Sequence, residues 1–223
     1  MSDSMRAPKK RRFTGALITI AVGRGGDAEK FYAHESLLKE RSGFFQAALN
    51  QQWKEGRERK VDLPEDQPAH VATYIEWLFS GKIASEMVKP AAELTGTDIA
   101  DEHNFLAHLY VLGEKLIDDK FCDDVMKAMA QLCAVSVGED LYYPGDSAVD
   151  TIYKGTTSES PVRKFLVHIF KTRGKQSWVD LNEADWTGPV QFLLDIVRAQ
   201  LPEDSPGNVG DLEADLSQWL KQK

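Results

Sequence analysis

Gly23-Arg24-Gly25-Gly26-Asp27-Ala28 has the G-x-G-x-x-A spacing with which a backbone turn cradles a pyrophosphate, and an apolar, β-branched run over residues 17–22 precedes it. Dinucleotide binding also needs a helix to open at the loop, so that its first amides face the phosphates. Here Lys30-Phe31-Tyr32-Ala33 reads as a second strand, and no strand-ending acid follows about 20 residues on. The loop is therefore expected to be a hairpin turn. His103 and His108 are five positions apart rather than the four that would set two metal ligands on one helical face. Cys122 and Cys133, the two cysteines of the chain, fall on an apolar helical stripe where a thiol acts as a small hydrophobe. No G-x-S-x-G nucleophile elbow is present. His34 has no partners in sequence that would complete a triad and is read as a structural residue at a strand-to-helix junction. No catalytic residue, cofactor site, metal site or small-molecule substrate is expected.

One cluster does carry a chemical message. Lys9, Lys10, Arg11 and Arg12 place four consecutive cations on a polar arm. Such a run suits an acidic groove, the physical basis of nuclear-import recognition; a solubilising tail is the other reading. Lys and Arg number 27 against 35 Asp and Glu, a net −8; residues 1–12 hold five cations and one acid, +4, which leaves −12 for the rest. A body so acidic repels phosphate backbones, so nucleic-acid binding by the folded part is not expected. No apolar run approaches the ~20 residues of a membrane span, and the polar residues 1–6 are not expected to act as a secretory signal. Two cysteines are too few for a disulfide scaffold. An intracellular protein, nuclear or cytoplasmic, is expected.

The elements that must carry any surface follow from periodicity. Residues 17–22 and 30–33 form a hairpin, two short helices break near Ser42-Gly43, and residues 61–63 make a third strand. A helix with Asp66 as cap and Pro68 in its first turn carries Val71, Tyr74, Ile75 and Leu78 on one stripe and ends at Gly81. Trp77 falls beside that stripe, so it is expected partly exposed and is the candidate anchor for a protein partner. Trp53 and Tyr74 are expected in the core. Residues 82–102, with Pro90 and Gly96, read mostly as loop. Helices marked by Leu106 to Ile117 and by Cys122 to Cys133 follow. After a break at 138–146 come three amphipathic helices, on Val149/Ile152/Tyr153, Val162/Phe165/Leu166/Ile169 and Val190/Leu193/Leu194/Val197. Residues 202–207 read as a linker, and Leu212, Leu216 and Trp219 as a short terminal helix. The predicted class is α+β, mostly α: a short-stranded sheet flanked by helices, then an all-helical region.

Five ordered segments resemble a BTB/POZ domain. Phe31-Tyr32-Ala33-His34-Glu35-Ser36-Leu37-Leu38 has the family's step from second strand to first helix. The likeness continues through Arg41-Ser42-Gly43-Phe44-Phe45, Trp53-Lys54-Glu55 and Val61-Asp62-Leu63-Pro64-Glu65-Asp66. It closes with Tyr74-Ile75-Glu76-Trp77-Leu78-Phe79-Ser80-Gly81-Lys82-Ile83, and Tyr110-Val111-Leu112-Gly113-Glu114-Lys115-Leu116 is similar to the next helix. The Leu-Pro-Glu-Asp and Glu-Trp-Leu-Phe-Ser-Gly forms, and the later Ser160-Pro161-Val162-Arg163-Lys164-Phe165-Leu166, look most like the BTB proteins of filamentous fungi. The resemblance implies a BTB/POZ domain over 14–135 and a helical extension over 139–201; composition and periodicity predict a basic disordered arm over 1–13 and a linker with a short terminal helix over 202–223. It implies a non-enzymatic interaction module that self-associates or acts as an adaptor to a cullin ubiquitin-ligase scaffold. A nuclear, transcription-associated regulator working through protein contacts is the alternative; an enzyme of unknown type is the remote one. The extension is expected to pack on the BTB part as one unit.

Overall fold

The computed structural model describes residues 15–84, 89–90, 93–175 and 188–201. Strands β1 (Leu17–Val22) and β2 (Glu29–His34) form an antiparallel hairpin, and β3 (Lys60–Leu63) adds to β1 in parallel, giving the order β2-β1-β3. Alternation puts Ile18, Ile20 and Val22 on the inner face, where they meet Ala33, Val61 and Leu63. Between β2 and β3 the chain winds three short helices, α1 (Glu35–Arg41), α2 (Gly43–Ala48) and α3 (Lys54–Glu58). The Ser42 hydroxyl separates the first two: it accepts from the Phe45 amide, 3.1 Å, and donates to the Leu116 carbonyl, 2.5 Å. The third helix lies in a stretch without a periodic apolar pattern.

Helix α4 (Pro68–Ser80) begins with Pro68 in its first turn and Gln67, not Asp66, at the cap. Asp66 instead pairs with Lys115 at 2.5 Å, tying the β3–α4 turn to the next long helix. Gly81 closes α4 at φ 71°, a conformation open to glycine without a Cβ penalty. Helix α5 runs from Gly96 to Leu116, so the last third of the expected loop 82–102 is helical. Thr95 and Asp98 form a capping box there, each side chain satisfying the other's backbone amide, and this overrides the helix-weakening Gly96. Helix α6 (Asp119–Leu132) is capped by Asp118 and leads into a small hairpin, β4 (Ser136–Val137) and β5 (Asp140–Leu141), whose second strand falls in the expected break at 138–146.

The later helices, α7 (Asp146–Gly155), α8 (Pro161–Arg173) and α9 (Val190–Gln200), complete the described residues. Helix α7 lies against α5 so closely that a Cβ on Gly155 would stand 2.4 Å from Val111 Cγ1. One apolar core runs from Ile18 through Leu109 and Val149 to Phe192. The fold is mostly helical α+β with a small sheet and a helical C-terminal region, as the periodicity predicts.

Candidate protein-interaction surface

The groups that pin the C-terminal helices in place define the surface they create. On α5, Tyr110 bonds the Ser160 hydroxyl at 3.3 Å, and Ser160 donates to Glu114 at 2.6 Å. Burial pushes the Tyr110 phenol up to about 12, so it stays a neutral donor. Arg163 is buried and reaches back to the end of α7. Its Nη2 donates to the carbonyls of Tyr153 (2.6 Å) and Thr156, its Nε donates to the Thr156 hydroxyl, and its guanidinium lies 4.3 Å from the Tyr153 ring centroid. The carbonyls a helix end leaves unsatisfied are thus capped by a side chain of the next helix. The Tyr153 phenol donates to Asp195 at 3.0 Å, which brings in α9.

With α8 held in this way, a groove opens between it, the end of α6 and the β4–β5 hairpin. It has two adjoining clefts of about 450 Å³ each, which share Leu141 and Tyr143. Ala130, Ala134, Phe165 and Ile169 line one with apolar surface, and Leu141 stands 46% exposed at the junction. His168, Arg173 and Lys175 stand along the α8 side, and Asp140 and Asp146 line the outer cleft. Apolar lining beside cations, on a body of net negative charge, fits a short apolar peptide segment flanked by acids.

The residues singled out from the sequence are scattered rather than gathered into a catalytic site. Trp77 is 3% exposed: its ring packs on Tyr74 and Phe121, and its indole N–H donates to Asp124 at 3.1 Å. The expected partial exposure is therefore corrected, because α6 covers the flank of α4 that the helical stripe left open. Among the described residues the exposed tryptophan is Trp53, at 62%, against the expectation that it lies in the core. His34 occupies the predicted junction, as the residue preceding α1. His103 is fully buried and bonds the Tyr142 carbonyl at 3.4 Å, while His108 stacks on His70 with centroids 4.9 Å apart. Burial lowers His103 and His70 to about 4. Burial also raises both thiols, that of Cys133 to about 11, which removes thiolate character at neutral pH. The 23–28 loop turns through a single 3₁₀ turn, Gly25–Asp27, straight into β2, so the hairpin reading stands. Among the described residues no cluster of three or more His, Cys, Asp or Glu could hold a metal, and no helix is long and apolar enough to cross a membrane. Lys9, Lys10, Arg11 and Arg12, and the predicted terminal helix, lie outside the described residues.

The groove was missed because β4–β5 is two residues per strand, too short to give a period, and because its walls come from segments about 30 residues apart. No family model matches the chain. Over 139 residues, 61% of its length, the chain is 26% identical to BTB and MATH domain-containing protein 40 of Caenorhabditis elegans, and the match spans 33% of that protein.

Proposed function

We propose that the chain is a non-enzymatic protein-interaction module of the BTB/POZ type, with a helical extension like that of the filamentous-fungal forms. The distant likeness to a protein named for a BTB domain supports the module. The groove between α6, β4–β5 and α8 is the observation that carries the reading, since it offers an apolar slot with charged walls on a rigid junction. Two outlets are proposed for it: self-association, and adaptor binding to a cullin-type scaffold. Leu141→Asp tests the groove, because Leu141 borders both clefts yet is half exposed and dispensable to the core. Binding of a purified cullin N-terminal domain, and the mass of the full chain by light scattering, are measured for both forms. Loss of cullin binding or of the oligomer in Leu141→Asp, at unchanged melting temperature, is the expected result. A monomer that binds no cullin before substitution sinks both outlets.

The basic run Lys9-Lys10-Arg11-Arg12 supports the second reading, a nuclear regulator acting through the same protein contacts. Replacing these four residues with Ala should move the protein out of the nucleus. If localisation does not change, the run is a solubilising tail.

A further inference from the structure

Three surfaces follow one another around α9. Phe192 and Ile196 face inward: Phe192 is fully buried, its ring 4.8 Å from Phe170 and 5.4 Å from Tyr153, and Ile196 packs on the same core. Val190, Leu194 and Val197, with Leu201 just past the helix end, form an outer apolar ridge and are 45% to 70% exposed. The three helical positions fall within about 60° of arc at 100° per residue. About 40° on from Leu194 begins a polar edge of Arg198, Gln191 and Asp195, which separates the ridge from the buried side. The predicted stripe Val190/Leu193/Leu194/Val197 is thus largely the outer face, and Phe192 supplies the inner one.

The polar edge is one wall of a cleft of about 510 Å³ whose other wall is α8. Arg163, Lys164, Lys171 and Arg198 line it against Glu159 and Asp195, an excess of positive charge on a chain of net −8. Both acids are already engaged. Glu159 pairs with Lys164 at 3.8 Å, and Asp195 accepts from Tyr153, Gln191 and Arg198. Among the described residues, Arg163 and Lys171 bond only neutral oxygens, Lys171 the Ala199 carbonyl at 2.6 Å. Their two positive charges are therefore left for a ligand.

We infer that ridge and cleft together are the docking site for an acidic amphipathic helix of a partner protein. Its apolar side rests on Val190, Leu194, Val197 and Leu201, and its carboxylates face Lys164, Lys171 and Arg198. The ridge runs along about 16 Å of helix, the length of three turns, and apolar anchors at helical spacing are how such a helix is held. The ridge alone would accept any amphipathic helix; the cationic wall beside it selects acids and repels bases. Nucleic acid fits less well, since α9 offers aliphatic side chains rather than aromatic faces for stacked bases. A second copy also fits less well. Its α9 would bring one acid, Asp195, which is engaged three times within its own chain. This site stands apart from the groove between α6, β4–β5 and α8, on the other flank of α8, with His168 bordering both.

A fluorescent three-turn helical peptide tests this by anisotropy against the full chain. It carries Leu at i, i+3, i+4 and i+7 and Glu along one flank; one control replaces Glu with Lys, another replaces Leu with Ser. The Glu peptide should bind on the order of tenfold tighter than either control, and its binding should weaken as salt rises. Leu194→Glu on the ridge and Lys164→Glu in the cleft should each weaken it on the order of tenfold. Lys164 is exposed and outside the core, so its variant reads docking even if Leu194→Glu disturbs α9. No binding of the Glu peptide overturns the inference, as does equal binding of either control or binding that survives both substitutions. A single-stranded oligonucleotide that binds more tightly than the peptide assigns the cleft to nucleic acid and overturns it. So does a dimer by light scattering that Leu194→Glu dissociates, which gives the ridge to a second copy. Leu141→Asp should leave peptide binding unchanged; loss of binding there moves the peptide to the groove and overturns the assignment to α9 without touching the reading of the groove.

Discussion

Ile117 holds the one strained backbone position whose cause is plain. It closes α5 at φ 53°, a region that costs a β-branched residue about 1–2 kcal/mol. The conformation persists because the carbonyl of Ile117 accepts from the Gly43 amide at 3.0 Å, so the turn is fixed from both sides. The side chain itself is 61% exposed. Ile117→Asn should therefore raise stability by about 1 kcal/mol, a rise of roughly 2–4 °C in Tm by calorimetry. A second residue reports through pH. His103 stays neutral in the fold down to about 4, whereas the unfolded chain binds a proton near 6.5. Stability is thus full above about pH 6.5, falls as pH drops toward 4, and levels off below; the loss from this fully buried ring is roughly 3 kcal/mol. Urea melts at pH 7 and pH 4.5 should differ by less in His103→Gln than in the unsubstituted chain.

At the scale of elements, Arg163 decides whether α7 and α8 act as one piece. Arg163→Ala would leave the carbonyls of Tyr153 and Thr156 without their donor and should cost about 2–3 kcal/mol in denaturant melts. Arg163→Lys should recover little of it, because an ammonium cannot reach two carbonyls and a hydroxyl in one plane. This junction was only half legible. Val149, Ile152 and Tyr153 announce α7, and Ser160-Pro161 announces α8, since periodicity and start signals are local. That Gly155 exists to admit Val111, or that Arg163 is buried, depends on neighbours some 40 residues away or on a guanidinium that composition counts as surface. The same limit explains Trp77: a helical stripe shows which side of α4 meets the core, not that α6 covers the next side too. Gly96 erred in the opposite way. The Thr95-x-x-Asp98 capping box was visible in the sequence, but glycine and proline nearby outweighed it. The groove had no local signature, since Leu141, Phe165 and Ile169 meet only in the folded chain.

For the molecule as a whole, the core is shared rather than divided. Ala107 and Leu109 on α5 and Ala148, Val149 and Ile152 on α7 are all fully buried in one cluster. Cutting after Val137 would strip the α7 side of α5, and each large side chain returned to water costs about 1.5–3 kcal/mol. Fragment 1–137 should melt well below the full chain and bind hydrophobic dyes, as followed by calorimetry and fluorescence. A fragment that melts with the full chain and stays soluble means the helical region is merely attached.

The central strand has a consequence for how the chain acquires its shape. β1 meets β2 across a short turn, but its pairs with β3, such as Ile20 with Val61, join positions 41 apart. The hairpin can form within about microseconds, whereas parallel pairing must wait for the loop holding α1, α2 and α3 to close. During ribosomal synthesis the order is fixed: Ile18, Ile20 and Val22 of the hairpin come first, and Val71 and Tyr74 of α4, the helix that packs on β2, emerge about 50 residues later. At about 5–20 residues per second, that interval lasts several seconds. For that time a nascent chain carries a sticky, two-stranded face without α4, and a chaperone near the exit tunnel would meet this hairpin before the helix that packs on it.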